Sequence, residues 1–154
     1  MNRMVRQFER AFAAIKDKKK WDKIYVGIDI HETVMLPTWS AELSSEYYDY
    51  AEDTLKMMTE DPEVCMILWS CCLPELSKVY HDNFKAKNIV FDYLNENPEC
   101  KSTHYADFET KLYFNVGLDD KFGFIPEEDW PELHKYFLKR KIKREREDVS
   151  NRPD

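Results

Sequence analysis

Three short apolar runs in this 154-residue chain end abruptly in side chains that can do chemistry. Asp29, His31 and Thr33 follow the first run, Ser70 follows the second, and Asp119 with Asp120 follows a later one; Lys111 stands just before that last run. Carboxylates are hard oxygen ligands, so Asp29 with an acid of the Asp119/Asp120 pair suits a hard divalent cation, Mg²⁺ first among them. Lys111 and the Ser70 hydroxyl would hold a phosphoryl group beside it. Taken singly these residues say less. Asp119 and Asp120 alone read as an ordinary acidic pair after a strand, and Ser70 alone as a helix N-cap.

Their company matters because of the elements that carry them. Residues 23–28 and 64–69 are continuous apolar runs, the pattern of strands buried on both faces of a parallel sheet. Residues 89–91 and 112–118 are expected to add a third and a fourth strand. Between them, apolar spacing predicts helices over 45–59, with Tyr47, Tyr50, Ala51, Leu55 and Met58 inward, and over 74–86, with Leu76, Val79, Tyr80 and Phe84 inward. Pro74 fits the first turn of the second of these. A last helix over 127–143 opens with acids and ends basic, matching its macrodipole. The alternating order predicts one three-layer α/β/α, Rossmann-like domain with a mainly parallel sheet and helices on both faces. Such a sheet delivers the carboxyl ends of its strands to a single crevice.

The chain divides into an N-terminal amphipathic basic helix over 1–22, the α/β domain over 23–143, and a charged tail over 144–154 that is expected to be disordered. Val5, Phe8, Ala11, Phe12 and Ile15 give the first helix an apolar side to dock on the domain or on a neighbouring subunit of a homo-oligomer, and a Lys-rich stop follows at 18–20. No run is long and apolar enough to span a membrane. The polar N-terminus and four Cys without a paired framework point to a reducing cytoplasm. The net charge of −7 is uneven: residues 25–133 hold 7 Lys, 23 acids and no Arg, whereas both ends are basic. An acidic centre disfavours a broad nucleic-acid groove there. Trp39, in the loop after the first strand, reads first as packing under that loop and second as an aromatic rim that stacks on a ring.

The ordered motifs resemble the haloacid dehalogenase-like phosphohydrolase superfamily over about residues 23–138. Asp29-Ile30-His31-Glu32-Thr33-Val34 after an apolar strand is similar to its motif I, Met66-Ile67-Leu68-Trp69-Ser70 to motif II, Lys111 to the motif III lysine, and Val116-Gly117-Leu118-Asp119-Asp120 to motif IV. Leu94 to Asn97, and Gly117 to Gly123 with Trp130, look like segments of small capless bacterial and phage members. Only 40 residues separate Asp29 from Ser70, too few for a large cap. The resemblance implies an aspartyl-phosphate formed on Asp29, with Mg²⁺ held by Asp29, the His31 main-chain carbonyl, Asp119 and Asp120. It also implies phosphoryl contacts from Ser70 and Lys111, and Thr33 bracing the motif I loop. The substrate would be a phosphorylated small molecule or nucleotide.

Two departures from the family pattern open alternatives. His31 stands where these phosphatases carry a second Asp as acid/base; imidazole can do both jobs near neutral pH. The core also lacks an Arg clamp for phosphate. The competing readings are a catalytically degenerate phosphate- or protein-binding module and a polynucleotide-end phosphatase guided by the basic termini.

Overall fold

The apolar runs become β1 (Ile24–Ile28) and β2 (Val64–Leu68), the central strands of a four-stranded, all-parallel sheet. This computed structural model describes residues 1–18 and 22–153. All five residues of both strands are buried, as continuous apolar strands require. With β3 (Tyr93–Leu94) and β4 (Val116–Leu118) the order is β3-β2-β1-β4. Register is fixed by Ile24 opposite Val64, Ile28 opposite Leu68, and Ile28 opposite Leu118.

Among the described residues four α-helices accompany the sheet: α1 (Arg3–Lys18), α2 (Ala51–Glu60), α3 (Pro74–Ala86) and α4 (Pro126–Ser150). Their buried side chains, among them Phe8, Leu55, Phe84, Trp130 and Phe137, form one core with Ile24, Val26, Ile28, Met66 and Leu68. The opposite face of the sheet, carrying Tyr25, Cys65 and Ile67, is covered by Cys100, Phe108, Tyr113 and Phe114 from residues 95–115. That segment is irregular, so the expected second layer of helices is absent among the described residues. The reason is local. Its polar side chains satisfy their own turns: Asp107 accepts from the N–H groups of Glu109 and Thr110, and the Asn97 amide donates to the Tyr113 carbonyl. Gly27 and Gly117 let the Phe114 ring lie flat on this face, since a Cβ at either would stand 3.1 and 3.3 Å from it.

Several expected elements shift. The third strand falls at Tyr93–Leu94 rather than 89–91, because Ile89 and Phe91 plunge into the helical core and Ile89 N–H closes the end of α3 on Phe84. The fourth strand is only Val116–Leu118, as the Asn115 side chain takes over pairing with Tyr25 N–H. The helix expected from residue 45 starts at Ala51, after Tyr50 in a left-handed conformation that leaves its ring exposed. On α3, Ser77 is buried where Leu76 and Val79 were expected inward. The tail expected to be disordered beyond 143 instead continues α4 to Ser150. Arg140 and Arg144 anchor this stretch on Asp61, and Lys143 pairs with Glu147 one turn on. The apolar side of α1 is taken up by the chain's own core rather than left for a neighbouring subunit. Most of the Lys-rich stop after it, residues 19 and 20, lies outside the described residues.

Candidate active site

All four strands point their carboxyl ends the same way, and each is followed there by a polar residue. Asp29 follows β1 and its N–H bonds to the Leu118 carbonyl of β4. Ser70 lies just past β2, Asn95 directly past β3, and Asp119 directly past β4. They line one open cleft of about 630 Å³, with His31, Trp69 and Phe122 on its walls.

On the cleft floor one oxygen from each of Asp29, Asp119 and Asp120 lies within 4.8 Å of the others. Removal from water pushes the Asp29 carboxyl up to about 7, with lesser pushes from Asp119 and Asp120, against the pull of the Ile30 N–H, which is the second-largest influence. No Lys, Arg or His pairs with Asp29 among the described residues. Thr33, fully buried, ties the cluster together: its hydroxyl donates to Asp29 Oδ2 at 3.3 Å and accepts the Asp120 N–H at 3.0 Å. Trp130 on α4 holds Thr33 in turn, its indole N–H donating to the Thr33 carbonyl at 2.7 Å. Asp119 accepts the Lys121 N–H and so caps the short 3₁₀ turn Asp120–Phe122. Lys121 extends its ammonium to 3.4 Å from Asp120.

Ser70 is clamped by Asn95, whose side-chain oxygen accepts the Ser70 N–H and whose amide donates to the Ser70 carbonyl, both at 2.8 Å. The Ser70 hydroxyl oxygen accepts from Cys72 N–H, leaving its own proton to donate into the cleft. His31 contacts Tyr80 of α3, with Nε2 2.9 Å from the phenol oxygen, and has Nδ1 4.0 Å from the Cys72 sulfur. Burial lowers the His31 pKa, only partly opposed by Glu32, so the ring is neutral near pH 7. The Tyr80 oxygen already accepts the Ser44 N–H, and its own proton is available to Nε2.

The structure therefore brings together Asp29, His31, Thr33, Ser70, Asp119 and Asp120. It does not bring Lys111, which is exposed and outside the lining of the cleft. β4 does not begin until Val116, so Lys111 stays in the irregular segment before it. Lys121 is the cation at the cleft instead. Asn95 also escaped the sequence reading, although the signal was present: with the third strand placed at 93–94, Asn95 is the next residue, just as Asp29 and Asp119 are for theirs.

No family model matches the chain, and no curated protein does either. Among solved structures, the chain is similar to a conserved protein coded by a locus from Bacteroides thetaiotaomicron. The match has a TM-score of 0.59 at 21% identity, covering 77% of this chain and 92% of the other. At that identity the likeness establishes a shared α/β fold. No helix among the described residues is long and apolar enough to cross a membrane.

Proposed function

We propose that this chain is a Mg²⁺-dependent phosphomonoester hydrolase that works through an aspartyl-phosphate on Asp29, on a capless scaffold of the haloacid dehalogenase-like type. The observation that carries the reading is Asp29 itself. It is a carboxylate on the floor of an open cleft, braced by Thr33, facing two further carboxylates and paired with no cation among the described residues. Leaving three acids in mutual repulsion is costly unless something positive or reactive uses them.

The donor set fits a hard divalent ion, because it is made only of carboxylate oxygens. Asp29, Asp119 and Asp120 would hold Mg²⁺, together with the His31 carbonyl that the family resemblance implies. Bound there, the ion would offset the charge of the carboxylates and of the phosphoryl oxygens. The chain's own groups do the rest. A carboxylate oxygen of Asp29 attacks phosphorus and the bond to the leaving oxygen breaks. Ser70 donates its hydroxyl proton in a hydrogen bond to a phosphoryl oxygen, and Lys121, rather than Lys111, supplies the nearby ammonium. In its imidazolium form His31 gives the Nδ1 proton to the leaving oxygen and becomes neutral imidazole. The same nitrogen then takes a proton from the water that attacks phosphorus, freeing Asp29 and phosphate.

The test is phosphate release from an aryl phosphate and a panel of nucleotides and sugar phosphates, with and without Mg²⁺, beside Asp29→Asn. Mg²⁺-dependent release that vanishes in Asp29→Asn is the expected result. A second reading, a phosphate-binding module that has lost turnover, is favoured by the Tyr80 and Cys72 contacts to the His31 ring and by the distant Lys111. Folded protein that binds Mg²⁺ and releases no phosphate would establish it over the first.

A further inference from the structure

Beyond His31 the cleft continues into a second hollow of about 330 Å³, which shares His31 and Glu32 with it. Trp39, Leu43, Leu76 and Tyr80 give this hollow apolar surface, and Glu32 with Glu42 give it acids; it has no Lys or Arg. Trp39 is 82% exposed and contacts no other aromatic ring among the described residues. It also holds a left-handed backbone, φ +54°, which a bulky side chain seldom adopts. Glu32 does the same at φ +59°. Tyr80 joins the two hollows, since its hydroxyl meets both His31 and the backbone of Ser44, at the end of the loop that carries Trp39. A large indole face is thus presented to solvent one short step from the residue set to protonate the leaving oxygen.

We propose that this hollow is the leaving-group subsite, and that it takes a flat ring, uncharged or cationic, stacked on Trp39. The substrate class is then a phosphomonoester whose alcohol carries such a ring, as a nucleoside monophosphate with an exocyclic amino group does. Apolar walls and an exposed indole favour a ring over a bare sugar, because base–aromatic stacking is sequence-tolerant and needs only a π-face. The two acids and the absence of any cation disfavour a second phosphate or a carboxylate on the leaving group. Amino groups at the ring edge have Glu32 and Glu42 to donate to. This assignment rests on the phosphatase reading for its catalytic meaning, but not for the binding itself.

The experiment separates the two. Adenosine, ribose and orotidine, none of which can be hydrolysed as a phosphate ester, are titrated into wild-type protein and Trp39→Ala, following the Trp39 indole N–H resonance and the heat of binding. Adenosine is expected to shift that resonance, ribose to leave it in place, and orotidine, with its ring carboxylate, to bind more weakly than adenosine. Trp39→Ala should weaken adenosine about tenfold, the equivalent of about 1.4 kcal/mol of stacking. Where turnover is present, KM for adenosine monophosphate should lie about tenfold below that for ribose 5-phosphate, and the gap should close in Trp39→Ala. Adenosine that leaves the Trp39 resonance unmoved, or binds Trp39→Ala as well as wild type, overturns the subsite. If neither ester is hydrolysed while adenosine still shifts Trp39, the phosphatase reading fails and the ring site stands.

Discussion

Asp29 and Asp61 sit at opposite ends of the sheet and have opposite fates. Asp61, just before β2, is 1% exposed, yet its carboxylate receives Arg140 at 2.9 Å and Arg144 at 2.7 Å, and also accepts the Glu63 N–H. Arg140 in turn lies over the Phe12 ring, 3.6 Å from its centre, so the cluster fastens α4 to α1 and to the foot of β2. Asp29, at the carboxyl end of β1, receives a hydroxyl and the Ile30 N–H but no cation among the described residues, and it faces two more acids. Two carboxylates of one chain thus show what satisfaction means. The buried, paired one holds the fold, and the unpaired one is kept available.

The comparison can be broken in four ways. The largest expected effect is on activity: Asp29→Asn should lower aryl-phosphate turnover by about three orders of magnitude or more, roughly 4 kcal/mol of barrier. Near-normal turnover in that variant would remove Asp29 as nucleophile. Next comes Asp61→Ala, which leaves two partly buried guanidinium groups facing each other with only the half-exposed Glu63, 3.3 Å from Arg140, as counter-charge. A loss of about 3 kcal/mol in urea unfolding is expected. A loss below 0.5 kcal/mol would make the cluster an ornament of the surface.

The third effect has the opposite sign. Asp29 titrates near 7 in the fold against an ordinary 3.8, so between those values the folded state holds a proton that the unfolded state has lost. Stability from this group is therefore present below about pH 4 and is lost as pH rises through 7. Asp29→Asn, neutral at every pH, should be more stable than wild type at pH 8 by about 2 kcal/mol, allowing for screening in an open cleft, and equal to it at pH 3.5. Added Mg²⁺ should raise wild-type melting at pH 8 and do less for the variant. A pH-independent difference between the two would contradict the burial and repulsion assigned to Asp29. The smallest effect is that of Thr33→Val, which keeps the shape but removes the hydroxyl joining Asp29 to Asp120. About 1 kcal/mol of stability should go, with a fall in turnover that exceeds it. Turnover unchanged in the folded variant would show that the brace is dispensable.

Legibility in the sequence followed the local strength of each signal. The runs at 24–28 and 64–68 could be read because strands buried on both faces have no polar residue to blur their ends. Pro74 marked α3 for a similar reason, since a ring without an N–H belongs in a first helical turn. The third strand was misplaced because Ile89, Val90 and Phe91 are more apolar than Tyr93 and Leu94. What made the latter pair a strand is hydrogen bonding to Ile67 and Leu68, far away in sequence. That error concealed Asn95. The tail past residue 143 read as disordered because it is nearly all charge; the Asp61 cluster that orders it lies 79 and 83 residues away from Arg140 and Arg144.

By itself the sequence determined a parallel α/β frame and the residues at its strand ends, Asp29, Ser70, Asp119 and Asp120, because apolar runs and their abrupt polar ends are local facts. Only the tertiary structure decided which side chains share the cleft. It exchanged Lys111 for Lys121, added Asn95, hydrogen-bonded His31 to Tyr80, and set an exposed Trp39 beside it. Those outcomes depend on strand register, on where the irregular 95–115 segment crosses the sheet, and on contacts between residues distant along the chain, which no local pattern encodes.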